Sequence, residues 1–242
     1  MEEIVVVGTG CRFPGSDDLD EFWGVLKNGE DHVLDIPKER WNVDIIDIAN
    51  LDDEWKPHAS KSGLLKDFDK WDNKFFGISD LEAGWMDPQQ CLALEVAYSA
   101  LEDGGFTREM IKGTDTGVYI GCMNKDMSLG LNEAAHEYNN SLVTGMASSI
   151  ISNRLSYLFD IRGPSLTIDT ACSSALVAIH LGCQAIRSVM SGCNQDGKEN
   201  TPITAPSGNQ QKELLKRVYS SHKINPADIQ YIESHGNVES RF

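Results

Sequence analysis

The stretch Gly163-Pro-Ser-Leu-Thr-Ile-Asp-Thr-Ala-Cys172-Ser-Ser-Ala-Leu-Val-Ala-Ile-His-Leu181 decides how the rest of the chain is read. A strand is predicted over Ser165–Asp169, a turn through Thr170 and Ala171, and a helix from Cys172 to Arg187. That helix is apolar on nearly every side, so it needs cover all round and is predicted to be buried. A thiol at its first residue faces backbone N–H groups and the positive end of the dipole, which favours thiolate. Ala171, Ser173 and Ser174 are small and leave room for a bulky thioester to approach. The combination suits nucleophilic acyl transfer through sulfur. On local physics alone, a buried cysteine acting as a small hydrophobe explains the same residues, and strand–turn–helix corners are common. Both readings stand at this point.

Working outward, Glu3–Gly8 is a β-branched run predicted to be a buried strand. Asp17 and Asp18 precede a helix over Leu19–Leu26, with Gly29 as its stop. Residues 30–62, charged and with little periodicity, are predicted to be a long surface excursion. Asp87 is a good N-cap, Pro88 fits the first helical position, and the helix runs to Gly104–Gly105. A strand over Thr116–Gly121 and a small-residue helix over Thr144–Phe159 follow. Beyond the quoted stretch come an amphipathic helix over Ser207–Ser221 and a strand over Ile229–Ser234. Strands and helices alternate, which predicts an α/β fold with a largely parallel sheet.

The 242 residues are 40% hydrophobic and carry a net charge of −16. That suits one large domain or two small ones. Residues 1–60 hold fifteen acidic side chains against five basic ones. With no Lys/Arg-rich stretch, neither nucleic acid nor an anionic membrane surface is an expected partner. The N-terminus lacks the basic stretch and apolar run of an export signal. Cys11, Cys91, Cys122, Cys172, Cys183 and Cys193 show no CxxC spacing, so they read as free thiols in a cytoplasmic, reducing compartment. Gly8-Thr-Gly10 follows a predicted strand, but Phe13 and Pro14 stand where a dinucleotide loop needs its third glycine and helix. The six histidines have no metal-ligand spacing. His180 reads as a core residue within the apolar helix.

Asp169-Thr-Ala-Cys172-Ser-Ser-Ala-Leu-Val-Ala178 resembles the active-site signature of ketosynthases, the β-ketoacyl synthase domains of modular polyketide synthases and animal fatty acid synthases. Other stretches similar to that family stand in order along nearly the whole chain. They include Ile4-Val-Val-Val-Gly-Thr-Gly-Cys-Arg-Phe-Pro-Gly15, Phe75-Phe-Gly-Ile-Ser79, Met86-Asp-Pro-Gln-Gln90 and Asn153-Arg-Leu-Ser-Tyr157. Asn194-Gln-Asp-Gly197, Thr204-Ala-Pro206 and Ile232-Glu-Ser-His-Gly236 resemble pieces of the family's second half.

The resemblance implies a thiolase-like α/β fold, its N-terminal half nearly complete and its C-terminal half a remnant. Residues 1–188 would be the half with the nucleophile elbow, and 189–242 the partial second half. It implies Cys172 as acyl acceptor and His235 as a catalytic histidine. The acyl donor would be a carrier-protein phosphopantetheine thioester or an acyl-coenzyme A, with no cofactor of the chain's own, and the chain would form a homodimer. Two departures bear on activity. After Ser188 the chain passes almost directly to Val189-Met-Ser-Gly-Cys-Asn-Gln-Asp-Gly197, where the family has a block about the length of a small domain. His235-Gly236 is followed by Asn237-Val238, where members continue Thr-Gly-Thr, and a second histidine is lacking. The expectation is an acyltransferase that loads Cys172 and condenses poorly. The alternative is a non-catalytic ketosynthase fragment that binds or dimerises.

Overall fold

The computed structural model of the chain describes residues 3–40, 60–124, 140–187 and 207–221. Its centre is a parallel pair of strands, β3 (Val118–Gly121) and β4 (Ser165–Ile168), in the register Val118↔Ser165 to Gly121↔Ile168. A second, antiparallel pair joins β1 (Val33–Asp35) to β2 (Lys61–Gly63) within the predicted excursion. The helices in chain order are α1 (Leu19–Asn28), α2 (Asp80–Ala83), α3 (Pro88–Asp103), α4 (Arg108–Ile111), α5 (Asn140–Met146), α6 (Ser148–Phe159), α7 (Ser174–Arg187) and α8 (Gly208–Ser221).

Local chemistry accounts for several ends. Asp18 caps α1 by accepting from the Glu21 N–H, and Gly29 closes it in the left-handed region. Asp87 accepts from the Gln89 N–H and Pro88 opens α3, since a proline lacks only an N–H that the first turn cannot use. The predicted helix over Thr144–Phe159 is in fact two, broken at an extended Ala147. The Gly145 carbonyl is turned out of the helix, accepting from the Asp87 N–H at 2.9 Å and from Gln90 Nε2 at 2.7 Å. A tertiary contact at Gly145 ends α5, the missing Cβ letting the Trp85 backbone approach closely.

Successive side chains on a strand point to opposite faces. Val118 and Ile120 pack with Leu155 and Leu158 of α6 and Leu94 of α3 in the core. Tyr119 faces Gly182 of α7, and Gly121 meets Ser174 and Ala175. The parallel pair therefore lies between α6, backed by α3, and α7.

Two expectations fail for the same reason. Val5, Val6 and Val7 are exposed and join no ladder, because a strand forms only against a partner strand and no described strand pairs with them; the Val7 carbonyl instead lies against Gly104 at the end of α3. The quoted helix is not enclosed either: only Ser174 and Ala178 are buried, while Leu176, Ile179 and Ile186 are 64–73% exposed. His180 is exposed with them, not in the core. Gly8 and Gly10 are explained by packing, since a Cβ would lie 2.2 Å from the Ala100 carbonyl and 2.6 Å from that of Val96. The predicted strand at Ile229–Ser234 lies outside the described residues, and of the 189–242 half only 207–221, carrying α8, are described.

Candidate active site

The corner at Cys172 is built by hydroxyls. β4 ends at Ile168, and Asp169 Oδ1 accepts from the Ala171 N–H at 3.0 Å. Ala171 then takes φ 55°, a left-handed conformation that a residue with a Cβ adopts only under constraint. The constraint is visible. Ser173 Oγ donates to the Thr170 carbonyl at 2.7 Å, and Ser174 Oγ donates to the Ala171 carbonyl at 2.7 Å. Ser174 Oγ also accepts from the Thr170 N–H at 2.9 Å. Thr170 and Cys172 also form an isolated parallel bridge across this turn.

The reversal moves the helix start. α7 begins at Ser174 and not at Cys172, and the Ser173 carbonyl accepts the first bond of the helix, from the Val177 N–H. Cys172 thus stands one residue ahead of the capping position, where the dipole falls away rapidly. What the corner supplies is presentation. Cys172 is exposed at the carboxyl end of the parallel pair, with exposed Ala171 and Ser173 on either side. A bulky acyl donor reaches the sulfur without displacing a side chain of the corner.

The other described thiols differ. Cys91 is buried, and burial pushes its thiol up to about 12. Cys11 is half-buried, its thiol raised by burial and then by Asp18. Cys183 is half-buried on α7. Cys193 and His235 lie outside the described residues, so the structure places one of the two expected catalytic side chains.

Two arrangements around the corner were not foreseen. Gln89 Oε1 accepts from Cys122 Sγ at 3.0 Å, and its Nε2 donates to the Asn124 carbonyl at 2.9 Å. Gln90 is buried; its Nε2 donates to the Thr144 and Gly145 carbonyls and its Oε1 accepts from Arg154 Nε at 2.7 Å. Arg154, also buried, reaches on to Glu82. The signal was the adjacent pair Gln89-Gln90 and the motif Asn153–Tyr157, whose partners lie too far along the chain for spacing to reveal.

The structure is thus a parallel α/β layer that presents an exposed thiol from a strained turn at its carboxyl edge. The relatives place it in a family. The family described as "Beta-ketoacyl synthase, N-terminal domain" matches residues 1–193, and "Beta-ketoacyl synthase, C-terminal domain" matches 187–238. The chain belongs to the β-ketoacyl synthase family. It is 40% identical to Polyketide synthase 37 of Dictyostelium discoideum over 97% of its own length and 8% of that protein. It is 29% identical to Fatty acid synthase of Anser anser anser over 98% of its length and 84% of that sequence. Among solved structures, an oxazolomycin ketosynthase domain of Streptomyces albus JA3453 matches at TM-score 0.66 and 38% identity, covering 77% of this chain and 33% of that one. The ketosynthase from module 6 of the Bacillus subtilis 168 bacillaene synthase matches at 0.63 and 33%, covering 74% and 28%. The fold is thiolase-like, with the N-terminal domain covered and the C-terminal domain covered in part. The chain spans under a tenth of the Dictyostelium synthase and about a third of the solved ketosynthases. Among the described residues, no helix is long and apolar enough to cross a membrane.

Proposed function

We propose that this chain accepts an acyl group on Cys172 from a thioester of a carrier protein or coenzyme A, as the loading half-reaction of a β-ketoacyl synthase. The observation that carries it is the exposed Cys172 behind left-handed Ala171 at the carboxyl end of the parallel strands. The sulfur attacks the thioester carbonyl carbon, a new C–S bond forms, and the donor thiol leaves with the proton that Cys172 gives up. The chain needs no cofactor for this step, because the phosphopantetheine arm arrives with the donor. A reducing compartment keeps the sulfur available.

Condensation needs more. A malonyl-type extender loses carbon dioxide, and its carbanion attacks the acyl thioester on Cys172. Hydrogen-bond donors are required where the thioester oxygen gains charge. His235 is the residue we assign to that role, from the 189–242 half. Loss of one such donor costs about a hundred- to a thousandfold in rate, so condensation is far more sensitive than loading to the donors in place. The second reading, a non-catalytic member that binds or dimerises, is favoured by the exposed apolar face of α7, which suits a protein partner.

Intact-mass measurement after incubation with an acyl thioester tests the first step. One acyl group is expected on the unaltered chain and none on Cys172→Ala. Adding malonyl carrier protein is expected to give little β-ketoacyl product. Rapid product formation that Cys172→Ala abolishes would show the condensing machinery to be complete. No acylation at all would leave the non-catalytic reading.

A further inference from the structure

The strand next to β4 reaches the same corner. β3 ends at Gly121, where a Cβ would lie 2.5 Å from the Ala175 nitrogen and 2.6 Å from the Ser174 carbonyl carbon. The first turn of α7 therefore rests directly on the backbone of β3. The next residue, Cys122, gives its N–H to the Ile168 carbonyl at 3.0 Å, so the carboxyl ends of the two strands are tied. Whatever fixes Cys122 fixes the floor beneath Cys172.

Gln89 is that residue. It sits in the first turn of α3, where the Asp87 side chain holds its backbone N–H. Its amide faces β3 with both groups in use: Oε1 accepts from Cys122 Sγ and Nε2 donates to the Asn124 carbonyl. A planar amide bonded at both ends has its orientation set, and it sets that of its partners in turn. Its neighbour Gln90 points into the core and bonds the Thr144 and Gly145 carbonyls. The pair thus grips the chain at Asn124 and again at Thr144–Gly145.

We infer that Gln89 is a positioning residue for acyl transfer, acting through Cys122 and the end of β3 to hold the turn that presents Cys172. The inference rests on Cys172 being the acyl acceptor. Cys122 is a strut in this arrangement and not a second nucleophile, since its thiol proton has two acceptors, Gln89 Oε1 at 3.0 Å and the Asn124 carbonyl at 3.6 Å. A small displacement matters because an error of 1 Å in a reacting geometry costs about a hundredfold in rate.

The test uses the full chain with an acyl-pantetheine thioester as the probe. In Gln89→Ala the limiting rate of Cys172 acylation is expected to fall about ten- to a hundredfold, the half-saturating concentration changing by less than about twofold. Cys122→Ser keeps a donor to Oε1 and is expected to retain most of the rate, whereas Cys122→Ala is expected to be as slow as Gln89→Ala. A Gln89→Ala rate within about twofold of the unaltered chain, or equal rates in Cys122→Ser and Cys122→Ala, would overturn the inference. If the unaltered chain takes up no acyl group, the acyl-acceptor reading has failed, and the alkylation of Cys172 by iodoacetamide decides the positioning. Cys11 serves as the reference, because its segment rests on α3 about two turns further along. The Cys172-to-Cys11 rate ratio is expected to change at least about threefold in Gln89→Ala, and an unchanged ratio sinks the inference. Should Gln89→Ala be insoluble, Gln89→Met takes its place in both measurements, being similar in length but with neither an amide oxygen for Cys122 nor an N–H for Asn124.

Discussion

Ala171 carries backbone strain of about 1–3 kcal/mol at a residue that makes no chemical contribution of its own. The neighbouring hydroxyls hold it there, and the result is a thiol thrust outward. Cys91 is the opposite case. It is buried beside the Gln90–Arg154 contact, and desolvation outweighs the nearby Arg154 charge, raising its thiol from 9.0 to about 12. A cysteine with a raised folded value holds its proton longer in the native state. Between pH 9 and 12 the unfolded chain therefore binds fewer protons at this site, and stability falls as pH rises. The full effect is on the order of 4 kcal/mol, from three units at 1.36 kcal/mol each. Tyrosines and lysines titrate in the same window, so the comparison that isolates the thiol is with Cys91→Ala. That variant is expected to be less stable at pH 7, for lost packing, and to lose less further stability on going to pH 11. Urea midpoints at the two pH values check this. Equal alkaline losses in both proteins would show that the Cys91 thiol ionises without opening the core.

Elements were legible wherever the signal was local. Asp18 and Gly29 bracket α1, Asp87-Pro88 opens α3, and the β-branched run before Asp169 becomes β4. The corner that carries Cys172 was legible for the same reason, since a strand, a turn and an apolar run surround it within twenty residues. The misses are non-local. Val5–Val7 have every strand preference but no described partner strand, and α7 starts late because a hydroxyl network drives Ala171 to positive φ. The break between α5 and α6 had only Gly145 as a local sign, because the Asp87 N–H and the Gln90 side chain that take its carbonyl lie 58 and 55 residues away. Gln90 is 1% exposed and Arg154 2%, so each relies on the other for hydrogen bonds. Removing Gln90 takes the acceptor from a buried guanidinium N–H and one donor each from the Thr144 and Gly145 carbonyls, the latter keeping the Asp87 N–H. Gln90→Ala is expected to destabilise the fold by about 2–4 kcal/mol, read from urea denaturation. A loss below about 0.5 kcal/mol would mean that water takes over the contacts.

At the scale of the whole molecule, two long-range terms oppose each other. The net charge of −16 keeps copies apart, while α7 displays Leu176, Ile179 and Ile186 along one flank and the N-terminal segment displays Val5–Val7. Covering one large aliphatic side chain contributes about 1.5–3 kcal/mol, and several act together on the α7 flank. Repulsion between exposed charges is screened over about 10 Å at 0.1 M salt and about 3 Å at 1 M. The apolar attraction is not weakened by that screening. Association of the purified chain is therefore expected to increase as salt is raised, the reverse of what an ion-paired contact would do. Sedimentation velocity between 0.05 and about 1 M sodium chloride reads this directly. Leu176→Glu together with Ile179→Lys leaves the net charge unchanged and removes two apolar side chains from the flank. That double variant is expected to shift the distribution towards monomer at every salt concentration, without altering the labelling of Cys172. A chain that is monomeric throughout, or an association that the double variant leaves intact, would place the sticky surface elsewhere than on α7.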